Sequence, residues 1–230
     1  MKIINLICLI TFILIQVGIA QDINIPPVKH PDISQWQDLF TSDLSNAVFP
    51  EDVWTFKDGI LSAGADQTIW SKETYDNFIL DLEFMTEQGT NSGVIVYCSN
   101  TDDWIPNSVE IQIADDYAEK WANSPASWHC AAIFGHLPAV KSVVKKPGEW
   151  NHFTITCKDS MIYVILNNTP VNEINLSMWT SAEKNPDGSE IPSWLSTPLA
   201  ELPTKGYIGL QGKHADASIY FRNIKIKKID

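Results

Sequence analysis

The feature that most constrains this chain is a period of two. Phe78, Leu80, Leu82 and Phe84 alternate with Ile79, Asp81 and Glu83. Successive side chains of a strand point to opposite faces, so this stretch predicts a strand with one face in a core. The period returns at Val109, Ile111 and Ile113, set against Glu110 and Gln112, and at Phe153, Ile155 and Cys157, set against His152, Thr154 and Thr156. Val94 and Val96 alternate with Ile95 and Tyr97; Ile162, Val164 and Leu166 follow; Ile208 and Leu210 repeat the pattern late in the chain. Turn chemistry separates these runs. Lys57-Asp58-Gly59 signals a hairpin, as do Lys158-Asp159-Ser160 and Asn167-Asn168. In the last run, about Ala217 to Ile226, the apolar phase changes from odd to even positions, which predicts a bulge near Arg222-Asn223. A helix is expected only at Ile33–Leu39, where Asp32 can cap it. Many short strands and hardly any helix specify an all-β fold, a sandwich or a barrel.

The first twenty residues stand outside that pattern. Lys2, the mostly apolar run Ile3–Val17 and the small residues Gly18-Ile19-Ala20 read as a secretory signal peptide over residues 1–20, cleaved after Ala20. Residues 21–230 read as one domain. With no cysteine at the cleavage point and no other run able to span a bilayer, a soluble exported protein is expected, periplasmic or extracellular. The net charge of −12 leaves no basic patch for nucleic acid and disfavours anionic lipid. Cys98, Cys130 and Cys157 are an odd number and cannot all pair with one another, and Cys157 sits on a core-facing phase as a buried thiol. The common zinc, phosphate-loop and serine-hydrolase signatures are absent.

Two long segments break the strand rhythm, Asp115–Lys146 and Met178–Gly206. Long loops in a compact domain are commonly functional. Trp36, Trp104, Trp121, Trp128, Trp150, Trp179 and Trp194 fall in or beside loops. A flat indole can stack on the C–H face of a sugar, or it can simply cover a sandwich edge. Glu110 and Gln112 share the face of their strand that is turned from the core, and Tyr207 and Gln211 share the open face of a later one. A carboxylate, amides and aromatics beside neighbouring strands suit a sugar, although any antiparallel strand with one wet face carries such residues. Asp102-Asp103 and Asp115-Asp116 could offer oxygens to Ca²⁺. Loop acids on so acidic a chain are ordinarily solvated, so no metal or cofactor is assigned.

Several segments occur in order over nearly all of residues 21–230: Leu80–Phe84 (LDLEF), Asn91–Val94 (NSGV), Asp103–Asp116 (DWIPNSVEIQIADD), Trp128–Cys130 (WHC), Lys146–Trp150 (KPGEW), Gly206–His214 (GYIGLQGKH) and Ile219–Ile226 (IYFRNIKI). On these the chain resembles the 3-keto-disaccharide hydrolase family. The resemblance implies a concanavalin A-like jelly roll of two antiparallel sheets, with long loops over the concave face. It also implies cleavage of an oligosaccharide or glycoside whose sugar is oxidised to a ketone at C3, by hydrolysis or by elimination and hydration. Such a ketone acidifies the C2 proton, so a base and an oxyanion stabiliser can expel the C1 substituent. Glu110, His129 and His214 are the candidate bases. Gln112, Lys141 and Gln211 are the candidate donors to the enolate oxygen. Asn91, Trp104, Trp128 and Trp179 are the candidate sugar contacts. Hydrolysis by two carboxylates is not favoured, because Glu110 and Asp115 fall on opposite faces of an unbroken strand and only a bulge at Ala114 would unite them. A non-catalytic, lectin-like module and a structural domain without a sugar site are the alternatives.

Overall fold

The computed structural model describes residues 28–214 and 217–230. The expected signal peptide lies outside them. The strands in chain order are β1 Gln37–Asp38, β2 Ala47–Val48, β3 Trp54–Lys57, β4 Ile60–Ala63, β5 Ile69–Tyr75, β6 Phe78–Thr86, β7 Asn91–Cys98, β8 Val109–Ala114, β9 Trp150–Lys158, β10 Met161–Leu166, β11 Thr169–Asn175, β12 Gly206–Leu210 and β13 Ile219–Lys228. One α-helix of a single turn, α1 Glu119–Ala122, and a few 3₁₀ turns complete the described residues. Two antiparallel sheets form. The first runs β11-β10-β9-β6-β13-β4-β3 with β1 also on β13; the second runs β2-β5-β12-β7-β8. This is the all-β jelly-roll sandwich that the resemblance implies.

The period of two builds the core. Leu80, Leu82, Phe84, Phe153, Ile155 and Phe221 of the first sheet meet Val94, Val96, Val109, Ile111, Ile113, Ile208 and Leu210 of the second in one buried cluster. Hairpins fall where turn chemistry predicts them. Asp58 and Gly59 have φ of 51° and 78°, and Asn167 and Asn168 have 50° and 63°, the left-handed pairs that a two-residue hairpin needs. The predicted bulge is present: β13 changes register on β6 between Arg222 and Lys225, with Asn223 at φ 52°. Beyond a function in twist, it divides β13 into a half that pairs with β4 at Tyr220 and Phe221 and a half that pairs with β1 at Lys225 and Ile226.

Two expectations need correction. Ile33–Leu39 is not a helix. Asp32 does accept a bond from the Ser34 backbone N–H at 3.0 Å, but it caps an isolated turn, and the chain then pairs as β1. Tyr97 does not share the open face with Ile95. Its φ of 57° rotates the strand, so its ring enters the core while Cys98 takes the outer face, and its hydroxyl donates to the Asp159 carbonyl at 3.2 Å. Periodicity cannot register such a phase change. Cys98, Cys130 and Cys157 are buried free thiols.

On the outer face of the first sheet a buried acid is fully partnered. Asp81 of β6 accepts from His152 Nε2 at 2.7 Å and from the Thr154 hydroxyl at 2.5 Å. His30 stacks on His152 at 3.6 Å, donates from Nδ1 to Thr154 Oγ1 at 2.7 Å, and accepts the Asn168 backbone N–H at Nε2 at 3.0 Å. Both nitrogens of His30 are thus committed, so this His-Asp-His group has no free lone pair on that ring for a metal. Burial and the neighbouring His152 lower the His30 pKa to about 4, which keeps the ring neutral and the tie intact near neutrality.

Candidate functional site

The outer face of the second sheet carries the candidate site. Glu110 and Gln112 of β8 point away from the core that Val109, Ile111 and Ile113 enter. Across the ladder, Glu110 pairs with Ile95 and Gln112 with Gly93. Gly93 is what lets the acid lie down: a Cβ there would stand 2.8 Å from Glu110 Cγ and 2.9 Å from its carboxyl carbon. A Cβ on Gly209 of β12 would likewise meet the Trp70 ring at 2.5 Å. Two glycines in adjacent strands therefore give one large side chain each from the flanking strands room to cross the sheet.

Above this floor lies a cavity of about 350 Å³, within the size range of small-ligand sites. Asn91, Glu110, Gln112 and Gln211 line it from the sheet; Trp104, Trp121, Trp128, Phe134 and Trp194 wall it, with Lys120 and His214 at its edge. The two long loops supply most of that wall. Trp128 packs against Phe134 at 5.5 Å and edge-on to Trp194 at 6.0 Å, which joins the loops over the sheet. Asn185 fastens them from behind. Its amide nitrogen donates to the Gly135 carbonyl at 3.2 Å, and its oxygen accepts from Trp179 Nε1 at 3.1 Å and stands 3.3 Å from His136 Nδ1.

The electrostatics of the cavity centre on Glu110, the one carboxyl among its lining residues. Desolvation pushes its pKa up to about 8, which favours the neutral carboxyl at pH 7. Gln112 is held in one orientation, because Nε2 donates to Asn91 Oδ1 at 3.1 Å and to the Trp128 carbonyl at 3.3 Å. That leaves its Oε1 buried with no partner among the described residues, and Gln211 Oε1 is in the same condition. Unpartnered buried acceptors are uncommon, and these two belong to residues that line the same cavity. At the edge, His214 Nδ1 donates to Asp66 at 2.6 Å; the carboxylate can only accept, which places the imidazole proton on Nδ1 and leaves Nε2 as an acceptor.

The structure brings Glu110, Asn91, Gln112, Gln211, His214, Trp104 and Trp128 together around one cavity, and it does not bring in His129, Lys141 or Trp179. His129 follows Trp128 in sequence, but its neighbour is Asp116, whose carboxyl accepts the Cys130 N–H at 2.9 Å. Lys141 is exposed elsewhere, and the cation at the cavity is Lys120. Trp179 packs on the core and spends its N–H on Asn185. Gln112 also differs from expectation, since its nitrogen is engaged and its free atom accepts. Asp115 stays out: it is buried and accepts the N–H groups of Gly89 at 2.8 Å and Tyr117 at 3.1 Å. The ladder from Val96↔Val109 to Asn91↔Ala114 is unbroken, so no bulge turns Asp115 toward Glu110. Asp66, Lys120 and Phe134 were missed. Asp66 lies 148 residues from its histidine, and no spacing rule spans that separation.

Known proteins share this fold. A protein of Parabacteroides distasonis ATCC 8503, provisionally named a glycosyl hydrolase, is 59% identical over 85% of this chain and all of its own length, with a TM-score of 0.83. A second protein of that organism with the same provisional name is 20% identical, covers 84% of this chain and 93% of itself, and has a TM-score of 0.68. The carbohydrate-binding module CBM66 of Bacillus subtilis shares the fold at 11% identity, with a TM-score of 0.51 over 82% of this chain and 99% of its own. No curated protein matches. The model of the 3-keto-alpha-glucoside-1,2-lyase-like domain matches residues 32–227, which include every residue of the cavity described above, and the chain belongs to that family.

Proposed function

We propose that this protein cleaves the glycosidic bond of a 3-keto-glycoside in the Glu110 cavity, by elimination followed by hydration. The observation that carries this reading is the placement of Glu110, the one carboxyl lining the cavity, half-buried on the sheet floor, where desolvation raises its pKa to about 8. A neutral carboxyl in an apolar site can donate a hydrogen bond to a carbonyl oxygen as that oxygen gains charge. His214, oriented by Asp66, offers Nε2 to the C2 proton. The base takes that proton, and the C2–H electron pair forms the enolate across C2 and C3, whose oxygen Glu110 stabilises. The enolate then collapses: the C3 carbonyl reforms, a C1–C2 double bond forms, and the C1–O bond breaks to release an alcohol after protonation. Addition of water across C1–C2 completes the net hydrolysis. Gln112 and Gln211 accept hydroxyls of the sugar, and the indoles stack on its ring.

A sugar-binding module without turnover is the second reading, because the aromatic wall alone would serve it; the titrating carboxyl is what favours an enzyme. The decisive measurement is turnover of 3-keto-glucosides by the purified protein, with deuterium at C2. Elimination predicts a primary isotope effect when chemistry limits the rate. His214→Ala should lower kcat by about 10²-fold or more, and Asp66→Asn should lower it less while altering the pH profile. Binding of sugars with no turnover at all would leave the module reading standing. We also propose that the protein is exported to the periplasm or beyond, on the leader read at residues 1–20. A mature mass beginning far from Gln21 would refute the processing site.

A further inference from the structure

Asn91 and Gln112 are two amides in contact, and a backbone carbonyl settles which end of each meets the other. The Trp128 carbonyl stands 3.3 Å from the Gln112 side chain and can only accept, so it meets the Gln112 nitrogen. That nitrogen can only donate, so the Asn91 atom 3.1 Å from it is the oxygen. The end of Asn91 left over is its nitrogen, Nδ2. It donates to no partner among the described residues, and it belongs to a half-buried side chain that lines the Glu110 cavity. The amide cannot turn over, because that would set one NH₂ group against another.

The place of this donor matters as much as its freedom. Asn91 and His214 are bridge partners. Residues directly opposed in a ladder carry their side chains on one face, with Cβ atoms about 5 Å apart. The next residue of β7 on that face is Gly93, about 6.5 Å further along the strand. Glu110 lies over it, since Oε1 is the first atom that a Cβ on Gly93 would strike. Asn91 therefore neighbours both the base and the acid of the proposed reaction. That reaction asks for such a neighbour. The C2 proton and the C3 oxygen sit on adjacent carbons, so a base at one needs donors close by at the other.

We propose that Asn91 is a catalytic residue, whose Nδ2–H donates to the C3 oxygen of the oxidised sugar and, together with Glu110, holds that oxygen as it becomes an enolate. The proposal rests on the reading of this cavity as the seat of a 3-keto-glycoside. His214 takes the C2 proton, the C2–H electron pair forms the C2–C3 double bond, and the carbonyl pair moves onto oxygen. Asn91 keeps its own proton throughout and supplies only the hydrogen bond. The line Trp128 carbonyl, Gln112, Asn91 fixes the donor before substrate arrives, so no reorientation is needed when charge develops.

The test is deuterium exchange at C2 of 3-keto-anhydroglucitol, in which hydrogen replaces the C1 substituent, so exchange reads enolate formation without bond cleavage. Binding of methyl glucoside, which has no ketone, is titrated in parallel. Asn91→Asp keeps an acceptor for Gln112 and replaces the donor with a carboxylate oxygen; Asn91→Ala removes both. Each should slow exchange by about 10²-fold or more, the scale for losing one oxyanion donor, and weaken methyl glucoside far less. Thermal denaturation checks the fold, and Asn91→Asp keeps the comparison readable if Asn91→Ala unfolds. If the folded variants exchange at the wild-type rate, the proposal is overturned while the reaction stands. If exchange and methyl glucoside affinity fall by the same factor, Asn91 is a sugar contact only and the proposal is overturned. If the wild type neither exchanges C2 nor cleaves methyl 3-keto-glucoside, the reading of the cavity falls and takes this one with it.

Discussion

Glu110 concentrates the chemistry in one titration, and its sign can be worked out. Its folded pKa, near 8, lies above the ordinary 4.5. If the neutral form is the working form, activity holds at neutral pH and falls as pH rises through about 8; if Glu110 were the base, activity would rise there instead. Glu110→Ala removes the donor and should cost about 10²-fold or more in kcat; Glu110→Gln keeps an N–H donor, should cost less, and should erase that limb of the profile. The same shift governs stability. Ionising the acid costs more in the fold than in the unfolded chain, so the penalty is absent below the ordinary pKa, grows as pH rises and is complete above about 8. At pH 9 Glu110→Gln should therefore be more stable than wild type, by an amount on the order of a few kcal/mol, and should unfold at a higher temperature. At pH 4 the difference should vanish, and a variant less stable than wild type at pH 9 would refute the buried assignment. At this scale the sequence was legible wherever alternation fixed a direction: Val109, Ile111 and Ile113 required Glu110 and Gln112 to face outward. It was silent on which end of the Gln112 amide is free, because the Trp128 carbonyl that orients it comes from a loop.

At the scale of elements, the site depends on how strands and loops are fitted together. Gly93 sits mid-strand, where a side chain would ordinarily strengthen the sheet. Gly93→Ala should push the Glu110 carboxyl from its place and reduce turnover at least as much as it reduces stability. Crystallography of the variant would show whether the acid has moved, and an unmoved Glu110 with normal turnover would refute the fit. Asn185→Ala removes the shared acceptor of Trp179 and His136 and the donor to Gly135. It should cost about 1 to 3 kcal/mol and speed amide exchange in the loop bearing Trp128. Normal exchange there would mean that the loops hold without it. Hairpins and the β13 bulge were readable because Asp-Gly, Asn-Asn and a phase change are local signals. The wall of the cavity was not, because Asn185 lies in a stretch that reads only as a turn, Asn185-Pro186-Asp187-Gly188, and its partners Gly135 and His136 lie 50 and 49 residues away.

At the scale of the whole molecule, two opposite faces do different work. The cavity opens on the outside of the five-stranded sheet, and the His30 tie lies on the outside of the other. His30 has a folded pKa of about 4 against an ordinary 6.5, so the unfolded chain binds the extra proton first. Its contribution is complete above pH 6.5 and is lost as pH falls from there to about 4. His30→Gln should flatten that acid limb of a thermal-denaturation profile, and an unchanged profile would show that the ring is not held neutral. The overall sandwich was legible because its core needs only repeated short-range alternation; the tie was not, since His30 meets Thr154 from 124 residues away. The position of His30 also has a practical consequence. A probe or tether placed on the outer face that bears His30 would sit on the side of the sandwich away from the cavity and leave the cavity open to solution, whereas random coupling through surface lysines would include Lys120 among the cavity's own lining residues.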